Sequence, residues 1–296
     1  MTNRIALFSL LLMGIFTNIQ AQMKKEIFGT NYSYIGKSST ESKGAITFGK
    51  YEFRTSFPLK LKKPGIRLIQ SISYSKTNID YSINPFPNSE IENFHSIAYT
   101  LRFMKPLKNK WFLTVFMSPN ISSNFQSDVN WNEIRLFGMA LFSKPINRKK
   151  NLMLSLGALY STTLGTPTPI PVASLMWKPN KKWIINFGFP RLDIQYQLSS
   201  ATSIGTNLFV MGENFTLSDE IALNGNKAKI DNIKIMNIGS GIFLHQKITK
   251  MIKLNLNSGY TFYRKFDFQN GNHVITDFNL DNNFFLKVGI SIGLKH

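Results

Sequence analysis

From residue 44 onward, apolar and polar positions alternate with a period of two. Near the end, Phe284, Leu286, Val288, Ile290, Ile292 and Leu294 interleave with Phe285, Lys287, Gly289, Ser291, Gly293 and Lys295. Leu192, Ile194, Tyr196 and Leu198 alternate with Arg191, Asp193, Gln195, Gln197 and Ser199, and Ile97, Tyr99, Leu101 and Phe103 oppose Ser96, Ala98, Thr100 and Arg102. Successive side chains of an extended strand point to opposite faces, so each such segment is predicted to be a half-apolar β-strand. The segments run about 9 to 14 residues, longer than the ~5–6 of most globular strands and near the ~9–11 of a tilted membrane strand. Their polar faces carry Gly, Ser and Asn with an occasional Arg or Lys in mid-strand. That pairing of faces predicts lipid outside and a polar lumen inside.

A recurring punctuation mark separates the strands. "KPNKKW" at 178–183 echoes "KPLKNKW" at 105–111 and "KPINRKKNL" at 144–152, with "KLKKPG" at 60–65 as a looser relative. Proline cannot donate to a strand ladder, so these stretches are predicted to be the short turns of successive hairpins. Trp111, Trp177 and Trp183 flank them, where the aromatic girdle of a barrel forms. Turns are expected near 60–65, 105–110, 145–150, 179–181, 199–201 and 246–250. Loops are expected near 37–43, 79–90, 123–130, 164–170, 189–190, 214–228 and 266–280. The fold class is therefore all-β: a transmembrane antiparallel up-and-down β-barrel of about fourteen strands. Twelve is the alternative if the first stretch, "IFGTNYSYIG", does not pair.

Composition agrees with a membrane barrel. The chain has 296 residues, 43% hydrophobic but only 17% charged, with 25 Phe and no Cys. Residues 1–21 place Arg4 before an apolar run from Ile5 to Phe16 and close on Ala21, the layout of a cleaved secretory signal peptide. Residues 22–296 then form a single barrel domain. No later stretch holds about 18 consecutive apolar residues, which leaves a closed barrel as the way to span a membrane. The expected compartment is the outer membrane of a Gram-negative bacterium, and no nucleic-acid partner is expected despite the formal charge of +19.

The stretches "YEFRTSFPLKLKKPG", "ENFHSIAYTLRFMKPLKNKW" and "PVASLMWKPNKKWIINFGFPRLDIQYQLS", with the last strand, resemble a family of uncharacterised outer-membrane β-barrels (a domain of unknown function) of the Bacteroidetes type. The resemblance implies a barrel and a compartment, and no activity. The last strand, "KVGISIGL", also places Lys287, Gly289, Ile292 and Leu294 in the polar–x–Gly–x–x–apolar–x–apolar order read by the barrel-assembly machinery. It departs from that order by adding Lys295 and His296 in place of a terminal aromatic.

Candidate chemistry is sparse. The sequence has no phosphate loop, metal-spaced cluster or Gly-x-Ser-x-Gly elbow, so no catalytic, cofactor or metal residue is expected. "ENFHS" pairs His95 with Ser96, but strand parity sends the two side chains to opposite faces. The same parity turns Lys50, Arg54, Arg67, Arg102, Arg135, Arg191, Lys253 and Lys287 inward, with Glu52, Glu133 and Asp193. A basic confined passage concentrates anions. The expected function is a passive channel or small-solute transporter preferring anions. Its partners would be outer-membrane lipids, the assembly machinery and small anionic solutes. A ligand-binding or structural barrel without transport, its interior charges paired, is the alternative, and a lipid-acting enzyme is third.

Overall fold

The computed structural model describes residues 26–293 apart from 40–43, 63, 83–90, 129–132, 162–167, 189–191, 223–228 and 272. The expected signal peptide, Arg191, Leu294, Lys295 and His296 lie outside the described residues. Fifteen strand segments follow one another: β1 Glu26–Ser39, β2 Ala45–Lys60, β3 Arg67–Tyr81, β4 Asn93–Pro106, β5 Phe112–Ser123, β6 Arg135–Pro145, β7 Leu152–Ser161, β8 Thr168–Trp177, β9 Trp183–Gly188, β10 Leu192–Gln197, β11 Thr202–Ala222, β12 Lys229–Lys247, β13 Ile252–Asn270, β14 His273–Asn279 and β15 Phe284–Gly293.

Each segment pairs antiparallel with its predecessor as far as β13, and β1 closes the ring on β15, from Phe28↔Ile292 to Ile35↔Phe285. From Phe268 down, β14 and β15 pair with β13 in the same register, Lys265↔Asn279 continuing into Tyr260↔Phe284. They are two halves of one interrupted strand. The molecule is a closed fourteen-stranded barrel, and β1 is a full member of it.

The period-two faces account for the wall. Tyr51, Phe53, Ile72, Tyr99, Phe142, Leu156, Leu208 and Ile290 are exposed on the outside, as a lipid-facing band requires. At one end the connections are short, and side-chain oxygens hold them. Asn180 Oδ1 accepts from the backbone N–H of Lys182 (2.8 Å) and Trp183 (3.2 Å). Ser199 and Thr249 hydroxyls do the same for the amides two and three residues on. In the lysine–proline mark, then, proline stops the strand and the polar residue that follows fixes the reversal.

Two expected loops are mostly strand. β11 runs on to Ala222 through the region expected to loop at 214–228, and the 266–280 region holds the end of β13 and all of β14. The cause is an inversion of the pattern. In this end of the barrel the apolar side chains (Phe215, Leu217, Ile221, Ile233, Ile235, Phe266, Phe268) are buried inside, so strand there does not show as apolar-outside alternation. In β13 the parity also slips: Phe262 and Tyr263 are both exposed beside an irregularity in the β12–β13 ladder, and Arg264 thereby turns inward.

Candidate functional site: the barrel lumen

Along each long strand the inward column changes character from the turn end to the loop end. On β2 it reads Ser56, Arg54, Glu52, Lys50, Phe48, Ile46, and on β13 Lys253, Asn255, Asn257, Gly259, Thr261, Arg264, Phe266, Phe268. The turn-end half is therefore polar and the loop-end half apolar. The expectation of a polar lumen holds for the first half only. In the second half Phe94 stacks on Phe215 with centroids 4.4 Å apart, and sixteen buried apolar residues from both sides of the ring form one cluster. This cluster closes the loop end.

Beneath it is a cavity of about 260 Å³ lined by Asn31, Asn207, Asn255, Asn257 and Lys287. The stacked rings of Phe243 and His245, 4.8 Å apart, also border it. The side-chain oxygens of Asn207 and Asn257 are buried without a hydrogen-bond partner among the described residues. Such oxygens are costly to leave unmatched, so the recess is chemically suited to a hydrogen-bonding guest or to water. Asp193, 2% exposed, borders it and accepts from Asn186 at 3.0 Å.

The charged residues expected inside fall into groups. Lys50 is ion-paired with Glu213, joining β2 to β11 across the lumen. Arg54 and Lys253 both approach Glu26, at 3.6 Å and 2.9 Å. Arg102 is exposed to the lumen's water and lies 6.0 Å from the Phe116 ring. Arg67 is exposed at the turn-end mouth, and Glu52 stands on the inward column of β2 between Lys50 and Arg54. Arg135 belongs to the loop end, where it donates to the Asn214 carbonyl at 3.2 Å and the Thr216 hydroxyl at 2.8 Å. Glu133 is buried just before it. Sequence parity thus missed Glu26 and Glu213, which offset part of the inward positive charge. Glu213 follows the inward parity of β11 and stands only at the edge of an expected loop, whereas Glu26 has the outward parity of β1 and faces the lumen through the register shift between Glu26 and Phe28.

Arg264 was also missed. It is 2% exposed and donates to Asn237 and Ser38 and, at 3.3 Å, to the Asp281 carbonyl. His95 and Ser96 do lie on opposite faces: His95 Nδ1 is 2.7 Å from the Tyr74 hydroxyl on the outside, and the Ser96 hydroxyl is buried. This geometry does not assemble an acyl-transfer pair, which needs both groups within hydrogen-bond reach.

The wall is uneven as well. β6, β7 and β8 turn Phe137, Met139, Leu141, Leu159, Ile170 and Val172 inward, in register from Met139 to Leu159 to Ile170. This stretch of the lumen wall is thus apolar, and the neighbouring stretch from β2 to β4 carries Arg54 and Arg102. Next to the apolar stretch the wall is low. β9 and β10 have six residues each, about 20 Å of strand and about 15 Å of height once tilted, against an apolar band of about 25 Å. Among the described residues, β8 has no partner on this side beyond Ser174, and β11 none between Leu208 and Thr216. A notch results, roofed where Thr216 of β11 meets Ser123 of β5.

The domain of unknown function DUF6268 matches residues 13–293. The chain belongs to this family. No curated protein matches the DUF6268 sequence detectably. Solved structures similar to the DUF6268 barrel include the COG4313 outer membrane channel from Pseudomonas putida F1, with 11% identity over 94% of this chain and 98% of that one and a TM-score of 0.49. The P. putida toluene transporter TodX has 10% identity over 93% and 91%, with a TM-score of 0.44. Outer membrane phospholipase A from Escherichia coli has 14% identity over 95% of each chain, with a TM-score of 0.35. These likenesses concern the fold, that of outer-membrane barrels.

Proposed function

We propose that this DUF6268 barrel is a passive small-solute transporter of a Gram-negative outer membrane, with a preference for amphipathic anions. In this reading the short turns are periplasmic and the sealed end faces outward. The observation that carries it is the mixed lumen wall: Arg102, water-exposed and without an ion pair among the described residues, belongs to a charged stretch of wall that adjoins the apolar stretch of β6–β8. An anionic head meets the arginines while an apolar body lies along Met139, Leu159 and Ile170. The notch beside β8 gives such a body a way past the closed end. The amide recess at Asn207 and Asn257 holds polar groups on the way.

Reversal potentials across a salt gradient in planar bilayers test the charge preference. The wild type is expected to favour anions. An Arg54→Ala/Arg102→Ala variant is expected to move the potential toward zero. Cation selectivity, or a potential unmoved by the double substitution, rejects anion preference. Stable insertion with neither conductance nor uptake of a lipophilic carboxylate into liposomes rejects transport and favours a binding or structural barrel.

A further inference from the structure

The short turns form a ring of positive charge. Turns 105–111, 144–151, 177–183 and 246–252 carry three, four, three and two Lys or Arg, twelve in all, and not one Asp or Glu. The acids gather toward the other end, among them Asp80, Glu92, Asp219, Glu220, Asp231 and Asp277. Nothing in the lumen's chemistry uses this collar. We infer that the collar binds anionic phospholipid headgroups in the leaflet at the turn end, and so fixes the barrel's depth in the membrane.

Two observations choose lipid over a soluble polyanion. First, the cations are moored to lipid-facing rings. The Lys144 ammonium lies 5.4 Å from the Trp111 ring centroid and that of Lys182 5.9 Å from Tyr196, while Trp177 and Trp183 are themselves exposed on the outer face. Cation–π contact of this kind holds a positive charge where the apolar band meets water, the depth of phosphate groups. Second, the charge is spread around the perimeter and not gathered in one patch, since the 60–65 turn, with Lys60, Lys62 and Lys63, makes five of the six turns basic. An annulus is complementary to the leaflet that surrounds a barrel, whereas a docking protein contacts one sector. The side-chain oxygens of Asn147, Asn180 and Thr249 clamp three of these turns, so the bases are displayed on held backbone. A base near an anionic surface is worth about a fivefold local enrichment of the opposite charge.

Tryptophan quenching tests this directly, since three of the four tryptophans stand in the collar. A Trp131→Phe background leaves only Trp111, Trp177 and Trp183 to report. The protein is reconstituted in phosphatidylcholine vesicles containing, at equal mole fraction, either phosphatidylglycerol or phosphatidylcholine brominated just below the headgroup. At low salt the brominated phosphatidylglycerol is expected to quench several-fold more strongly, and the surplus is expected to shrink as salt screens the charges. Replacing Lys108, Lys110, Arg148, Lys149 and Lys150 with Gln is expected to remove much of the surplus. Equal quenching by the two lipids at low salt overturns the proposal, and so does a surplus indifferent to salt. Binding of polyglutamate without any phosphatidylglycerol surplus also overturns it, and points to an acidic protein partner. The salt titration needs only this Trp131→Phe protein with every collar base in place, so a poorly folding Gln variant leaves the test intact.

Discussion

Several inward glycines are places where a phenylalanine lies across the strand. A Cβ added to Gly241 would come within 2.9 Å of the Phe285 ring, and one on Gly239 within 2.4 Å of the Phe209 ring. Phe209 and Phe285 then meet each other at 4.1 Å, edge to face, so two rings cover the inner surface of two intervening strands. Glycine here is space, not flexibility. At Gly259 an added Cβ would sit 2.0 Å from the Ser240 carbonyl oxygen and 2.8 Å from Phe285. The Gly259→Ala change must push strand β13 from β12, and we expect a loss of about 1–3 kcal/mol, measurable as a lowered midpoint in detergent-micelle unfolding. A midpoint equal to wild type is inconsistent with this packing. The sequence displayed these glycines as members of a polar face, which is how parity sorted them. Their true neighbours are side chains of strands remote in sequence, and no local pattern encodes that.

At the turn end the strand boundaries were legible to within two residues: the turns expected at 105–110, 145–150 and 199–201 lie between β4 and β5, between β6 and β7, and between β10 and β11. The reason is physical. Within the apolar band each strand obeys one rule, apolar outward, and each short turn carries its own proline or side-chain clamp. Beyond the band the rule reverses, and the long β11–β12 and β13–β14 hairpins hide inside expected loops. The lumen charges were legible by parity wherever the ladder is regular, and illegible at the β13 irregularity, where Arg264 changes face. The clamps carry a prediction of their own. Asn180→Ala removes the acceptor for two backbone amides, so about 1 kcal/mol of stability is expected to go, with Asn180→Asp retaining most of it. Equal losses in the two variants would mean that the side-chain oxygen does not hold the turn.

As a whole, the molecule is a funnel stopped at one end. Phe215 is fully buried against Phe94 in that stopper, and Phe215→Ala is expected to cost about 3–5 kcal/mol while raising single-channel conductance well above wild type. A cavity mutant that unfolds more readily yet conducts no better would place the barrier elsewhere. The closure of the ring has a different consequence, one of timing. Apart from the single Thr216–Ser123 bridge between β11 and β5, every pairing up to β12–β13 joins neighbours in sequence, whereas β1 meets β15 across almost the whole chain, Glu26 opposite Gly293. Neighbouring hairpins close loops of a few residues; this seam closes one of more than two hundred and fifty, at an extra entropic cost of about 0.6 kcal/mol for each doubling of length. Until the ten-residue β15 arrives, β1 and the Ile252–Tyr260 half of β13 are both open edges, each able to pair with the wrong strand. The order of synthesis therefore delivers the latch after β1–β14, and a chain truncated before Phe284 is left as an open, adhesive sheet.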